Sequence, residues 1–270
     1  METKYAVLNN GVKMPTLGLG VWRVQDGSEV INAVKWAIEA GYRSIDTAAI
    51  YQNEDGVGTA IKESGISRDE IFVTTKVWNS DQGFERTLNA FEESRKRLSL
   101  EYIDLYLVHW PIAATYRQTW KALVKLYNEG HVKAIGVSNF NEQHITMVAE
   151  ETGVMPAVNQ VQLHPLYTQK RLLSFANENN IKLTAWSPLM KGNLDLPLLR
   201  ELSSKYKKTP AQVVLRWHIQ NDVIVIPKSI NKERIIENSM IFDFELSSDD
   251  MKRIDRLCEN KFFGTVPDGV

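Results

Sequence analysis

The sequence predicts an α/β chain built as a parallel β/α repeat, best matched by a (β/α)8 barrel. Three observations carry this. Eight short apolar runs recur along the chain, amphipathic segments separate them, and 270 residues without a linker suit one domain spanning 1–270. A doubly wound sheet is the alternative that the same alternation allows.

The elements follow in order. Residues 5–8 and 12–15 flank Asn10-Gly11 and read as a hairpin with a type I′ turn. The strand candidates are 17–20, 44–46, 71–76, 105–109, 134–138, 157–160, 183–186 and 223–227. They are nearly continuous apolar runs, as strands covered on both faces are. Between them lie helical patterns at 29–40, closed by Gly41, at 88–98, at 116–128, closed by Gly130, and at 211–220. Ser67 with Glu70 has the spacing of a capping box, and Thr209-Pro210 with Gln212 adds proline at the first helical position.

Composition excludes several classes. Net charge is −1, with 43% hydrophobic and 24% charged residues, so neither disorder nor binding to nucleic acid is indicated. No apolar stretch is long enough to span a membrane, and Met1-Glu2-Thr3-Lys4-Tyr5 opens no apolar leader. The single cysteine, Cys258, precludes an internal disulfide and reads as a reduced thiol in a C-terminal helix. A cytoplasmic monomer acting on a small molecule is the expectation.

The apolar runs end in polar or aromatic residues: Asp46, Lys76, His109, Ser138-Asn139, Gln160, Trp186-Ser187 and Lys228. In a barrel these ends share one face, where the chemistry sits. A carboxylate at Asp46 would hold Lys76 as an ammonium, and the ammonium would lower the pKa of a tyrosine at Tyr51. His109 would donate a second hydrogen bond to a substrate oxygen. Such a set suits proton delivery to a carbonyl oxygen while hydride arrives at carbon. Taken singly, Asp46 and Lys76 could also form an interior structural ion pair, and His109 reads more readily as a satisfied strand-end histidine; the case rests on the set.

Other chemistries lack their patterns. The five histidines show no metal-binding spacing, so no metal is expected. Gly136-Val137-Ser138-Asn139-Phe140 lacks the second glycine of a serine nucleophile elbow. Gly18-Leu19-Gly20 and Gly56-Val57-Gly58 both fail the dinucleotide fingerprint. A different anion site is offered by Ile226-Pro227-Lys228-Ser229 followed by Arg234, where ammonium, hydroxyl and guanidinium could meet a phosphate monoester. Trp22, Trp78 and Trp110 follow strands and suggest an apolar mouth.

These residues resemble the aldo-keto reductase superfamily over essentially the whole chain. Gly41-Tyr42-Arg43-Ser44-Ile45-Asp46-Thr47-Ala48 with Tyr51, Glu54 and Gly58 is similar to its first signature. Residues 135–140 resemble the second, and Ile226-Pro227-Lys228-Ser229 with Arg234 the third. The likeness is nearest to short microbial and protozoal members similar to 2,5-diketogluconate reductases and prostaglandin F synthases. It implies a barrel whose base the N-terminal hairpin closes, and metal-free, NADPH-dependent reduction of aldehydes and ketones. It implies Tyr51 as proton donor, tuned by Lys76 and Asp46, with His109 orienting the carbonyl. It implies Ser138, Asn139 and Gln160 on the nicotinamide carboxamide, Trp186 on its ring, and Ser187 and Leu189 at the pyrophosphate. Lys228, Ser229 and Arg234 would read the 2′-phosphate, and Glu237 and Asn238 the adenine. Gly20, Val21, Trp22 and Asp46 complete the implied cofactor set; Trp22, Tyr51, Trp78, His109 and Trp110 form the implied substrate set. Many members carry tyrosine where this chain has Trp186, and either ring can stack; the segments 110–119 and 190–196 are short and the chain ends at Val270, so a short rim and an open pocket are expected. The different-class alternative is a cofactor-binding sensor or accessory subunit on the same barrel with little turnover.

Overall fold

The computed structural model describes residues 3–270; Met1 and Glu2, which entered the reading of the N-terminus, lie outside the described residues. Strands β1 (Tyr5–Val7) and β2 (Lys13–Pro15) pair antiparallel, with Ala6 opposite Met14. Their turn is not type I′. That geometry needs positive φ at both central residues, and only Gly11, at φ 85°, has it. The Leu8 amide bonds the Val12 carbonyl and the Gly11 amide the Leu8 carbonyl, a three-residue loop that glycine closes.

The repeat then runs β3 (Leu19–Gly20), α1 (Ser28–Glu39), β4 (Ser44–Asp46), α2 (Glu54–Glu63), β5 (Phe72–Val77) and α3 (Phe84–Leu98). It continues through β6 (Ile103–Val108), α4 (Tyr116–Asn128), β7 (Val132–Ser138), α5 (Glu142–Thr152), β8 (Val158–Gln162) and α6 (Lys170–Glu178). It ends with β9 (Lys182–Trp186), α7 (Pro197–Tyr206), α8 (Pro210–Gln220), β10 (Ile224–Val225), α9 (Lys232–Ser239) and α10 (Ser248–Asp255). Strands β3 to β10 form one eight-stranded parallel sheet in chain order. Parallel bridges from Leu17 to Val225 and from Gly20 to Lys228 join its two ends, so the sheet is the predicted barrel and not the doubly wound alternative. A Cβ at Gly20 would press on the Ile226 carbonyl oxygen 2.8 Å away, so this seam needs a glycine.

Side chains alternate along each strand, and alternate positions line the barrel. The inward residues of β5 are Phe72, Thr74 and Lys76; those leading out of β6 are Leu105, Leu107 and His109. The lower members pack with Ala6, Leu8 and Met14 of the hairpin, Ala134, Val158 and Ile224 into a small core that plugs the base. The outward residues, such as Val73, Val77, Tyr106 and Val137, join the larger core between sheet and helices. Each inward column therefore passes from apolar at the hairpin end to polar at the other.

Two local expectations resolve differently. Thr209 and Gln212 form the predicted reciprocal cap of α8. Ser67 and Glu70 do not: the Ser67 hydroxyl turns to the Asp69 carboxylate, leaving a single turn at Arg68–Glu70 without a side-chain cap. Cys258 lies beyond the end of α10 rather than inside a helix.

Candidate active site

At the C-terminal ends of the strands a cavity of about 490 Å³ opens. Asp46 ends β4 and Lys76 stands one residue before the end of β5, on neighbouring strands. The Lys76 ammonium donates to Asp46 Oδ1 at 2.6 Å and to the Thr47 carbonyl at 2.8 Å. Gln160, on β8 across the barrel, donates to Asp46 Oδ2 at 2.6 Å. Lys76 is wholly buried. Burial drives its pKa down, and the Asp46 carboxylate opposes that.

Tyr51 closes the single turn Ala49–Tyr51, and Gln52 follows it in the left-handed region at φ 55°. The Lys76 ammonium lies 5.1 Å from the centre of the Tyr51 ring. His109, just past β6, meets the Tyr51 ring edge-on at 5.9 Å and the Trp78 ring at 5.0 Å. Burial, then the neighbouring Lys76 charge, holds the imidazole well below its ordinary range, so it is neutral at pH 7. Its Nδ1 has no partner among the described residues. The expected lowering of the Tyr51 pKa is not what the site produces. Burial, followed by the Asp46 carboxylate, pushes the phenol well above its usual value. The ammonium that would lower it is already engaged by Asp46 and Thr47. Tyr51 is therefore fully protonated at neutral pH.

A second group of side chains borders the first. The Ser138 hydroxyl donates to the Gln160 carbonyl at 2.8 Å. Asn139, at φ 64°, donates to the His109 carbonyl at 3.0 Å and accepts from the Trp186 indole N–H at 2.9 Å. This fixes the indole at the cavity wall, where Ser187 also lies. Gly20, Trp22, Trp78, Trp110 and Lys228 complete the predicted lining. Val21 is buried behind it, and Leu189 stands outside the lining. Ser229, just before α9, and Arg234, Glu237 and Asn238, on α9, also lie outside it. The Ser229 hydroxyl faces the Asn231 backbone, and Glu237 accepts from the Thr209 hydroxyl at 2.7 Å.

Sequence reasoning missed Ile50, Arg23 and Lys191, all of which line the cavity. Arg23 packs over the Trp22 ring at 4.3 Å and Lys191 approaches it at 5.8 Å. Both residues have left-handed backbones, at φ 56° and 52°, a property no spacing announces. With Lys228 they make the rim cationic, and no carboxylate pairs with any of the three among the described residues. Such a rim suits a ligand bearing several phosphates.

The short C-terminal segment nevertheless reaches the cavity. Phe263, Gly264, Thr265 and Pro267 form one wall. Gln162 pins this segment by donating to the Phe263 carbonyl at 2.8 Å and accepting from its amide at 2.6 Å. The Ala113 amide bonds the Gly269 carbonyl beyond it. The aromatic pair Phe262-Phe263 was the available signal.

Comparison with known proteins agrees with this architecture. The aldo/keto reductase family model matches residues 16–259. The chain is 57% identical over 265 residues to a 9,11-endoperoxide prostaglandin H2 reductase of Trypanosoma cruzi, covering 97% of this chain and 94% of that protein. It is 54% identical over 262 residues to a glyoxal reductase of Bacillus subtilis, covering 97% and 95%. A solved aldo-keto reductase of Bombyx mori in complex with NADP superposes with a TM-score of 0.92 at 37% identity, covering 97% of this chain and 95% of that one. With the barrel, the strand-end constellation and a match of this extent, the chain belongs to the aldo/keto reductase family.

Proposed function

We propose that this protein is an NADPH-dependent carbonyl reductase converting aldehydes and ketones to alcohols, with Tyr51 as proton donor. The observation that carries the reading is the buried Asp46–Lys76 pair beneath Tyr51, with neutral His109 beside it. The cofactor would take its carboxamide to Ser138, Asn139 and Gln160 and lay its ring against Trp186. Its phosphates would meet the cationic rim, Ser187 and Leu189, then Lys228, Ser229 and Arg234, with Glu237 and Asn238 at the adenine. When bound, it supplies the hydride that reaches the carbonyl carbon. Tyr51 gives its phenolic proton to the carbonyl oxygen, and Lys76 stabilises the phenolate left behind. His109 donates its ring N–H to the same oxygen and so orients it.

Trp22, Trp78 and Trp110 give the cavity apolar walls, which favour small neutral or aromatic carbonyls. Glyoxal and methylglyoxal are the first to test, given the substrates named for the Bacillus subtilis glyoxal reductase and for a 47% identical methylglyoxal reductase of Salmonella typhimurium. The enzyme belongs to the alcohol dehydrogenase and carbonyl reductase class and acts as a cytoplasmic monomer. Among the described residues no helix is long and apolar enough to cross a membrane.

The test follows loss of reduced-nicotinamide absorbance with aldehydes, using NADPH and NADH in parallel. Tyr51→Phe should lower turnover by roughly 10²–10⁴-fold while NADPH still quenches protein fluorescence. Full activity of Tyr51→Phe would overturn the mechanism.

A further inference from the structure

Near Tyr51 and Lys76 stands a buried carboxylate to which the mechanism gives no role. Glu54 opens α2, three residues after Tyr51, and its side chain is fully buried. It does not face solvent as a first-turn acid ordinarily does; Asp55 beside it is exposed. Instead the Thr75 hydroxyl donates to Glu54 Oε1 at 2.5 Å, and Arg97 from α3 donates to Oε2 at 2.8 Å. Thr75 precedes Lys76 on β5. Alternation therefore sets Glu54 on the outer face of the backbone that carries Lys76 on its inner face.

The residue before Glu54 makes a matching anchor. Asn53 is fully buried, accepts from the Thr47 hydroxyl at 2.7 Å, and donates to the Val21 and Val24 carbonyls at 2.9 Å each. Thr47 in turn offers its carbonyl to Lys76. The turn bearing Tyr51 is thus held at its exit by two consecutive side chains, one tied to β5 and the other to the Lys76 shell.

Charge acts in the same direction. The charged or titratable groups facing Lys76 are Asp46 from β4, Tyr51, His109 beyond β6, and Glu54 from α2. Those facing Glu54 are Arg97 from α3, Tyr106 from β6 and Lys76; Tyr106 also feels Asp81. Arg97 is 37% exposed, so water screens its charge more than it screens the buried carboxylate. A negative field remains behind the strand.

We propose that Glu54 is a positioning residue for proton delivery: its carboxylate, fixed behind β5 by Thr75 and Arg97, holds Lys76 in the ammonium form and, with Asn53, fixes the turn that presents Tyr51. This rests on the reading of Tyr51 as the proton donor.

The experiment is the pH profile of kcat for NADPH-driven reduction of methylglyoxal. It compares the unmodified enzyme with Glu54→Gln, Arg97→Met and Tyr51→Phe. Glu54→Gln removes the negative charge, so the alkaline fall in kcat should move to lower pH by roughly half a unit or more. Arg97→Met leaves that charge less opposed and should move the fall to higher pH. Opposite shifts support the proposal, because a merely structural role moves neither. Unmoved profiles in both variants overturn it. If Glu54→Gln does not fold, Arg97→Met decides alone by the same criterion. Activity in Tyr51→Phe would instead strike the underlying reading, and the two failures are thereby distinct.

Discussion

Asp46 shares its two oxygens between Lys76 and Gln160, so one carboxylate joins strands on opposite sides of the barrel. Removing one partner of a buried ion pair costs more than forming the pair returns, because the other charge is left stranded. At the rim the balance differs, since Lys228 and Arg234 are exposed and their charges are free to meet a ligand. Lys228→Ala or Arg234→Ala should weaken NADPH binding by roughly 10-fold or more, from the loss of charged hydrogen bonds, and change NADH binding little. Fluorescence titration with both cofactors checks this, and equal losses would refute the assignment to the 2′-phosphate. Asp46, Lys76 and His109 were legible because each ends an apolar run; one polar end means little, since loops begin there, but an Asp, a Lys and a His ending three successive strands is a rarer pattern. Arg23 and Lys191 were not, because they enter the cavity through left-handed backbone in loops, where side-chain direction follows φ rather than spacing.

Helix α2 shows how a whole element serves the site. Its approach to the end of α3 is so close that a Cβ on Gly58 would collide with the Leu98 carbonyl oxygen and carbon. Neither backbone can yield without dragging Asn53 and Glu54 from their anchors. Gly58→Ala should therefore destabilise the protein by about 1–3 kcal/mol, and turnover should fall with it. Chemical denaturation alongside kcat measures both; an unchanged midpoint would mean that the two helices part freely. The eight barrel strands and helices α1, α3, α4 and α8 were readable from the apolar period, whereas shorter helices such as α2, α5 and α6 were not singled out. Ends were less so, because a cap is a contest among nearby acceptors. Thr209 won its contest through Gln212 and Pro210, whereas Ser67 found Asp69 closer than the amides of the short turn it was expected to cap. The hairpin turn likewise followed the one glycine able to take positive φ rather than the Asn-Gly pair.

For the molecule as a whole, acid is the condition that should expose its weakest balance. His218 is enclosed between the Val214 and Leu163 carbonyls, and His164 contacts Gln162. Burial pushes His218 down to about 4 and His164 down to about 3. The unfolded chain binds these protons near pH 6.5 and the native one resists them. Stability should thus be complete above about pH 6.5 and fall as pH drops toward 4, by about 1.4 kcal/mol per unit for each histidine. Urea midpoints at pH 7 and pH 4.5 would show it, and equal midpoints would contradict it. The barrel itself was foreseeable from alternation and length. The wall at residues 263–267 was not, since a segment without period or turn pattern declares its place only through partners such as Gln162. The seam between Leu17 and Val225 also governs how the chain can be made. During synthesis from the N-terminus, every strand but the last is present while the sheet is still an open ribbon with bare edges at β3 and β9. Bare edges recruit neighbouring chains. Of the two edges the one made first is β3, only two residues long, ending in Gly20 and preceded by Gly18. It offers a growing polypeptide almost nothing on which a stranger could align, until β10 arrives to complete the ring.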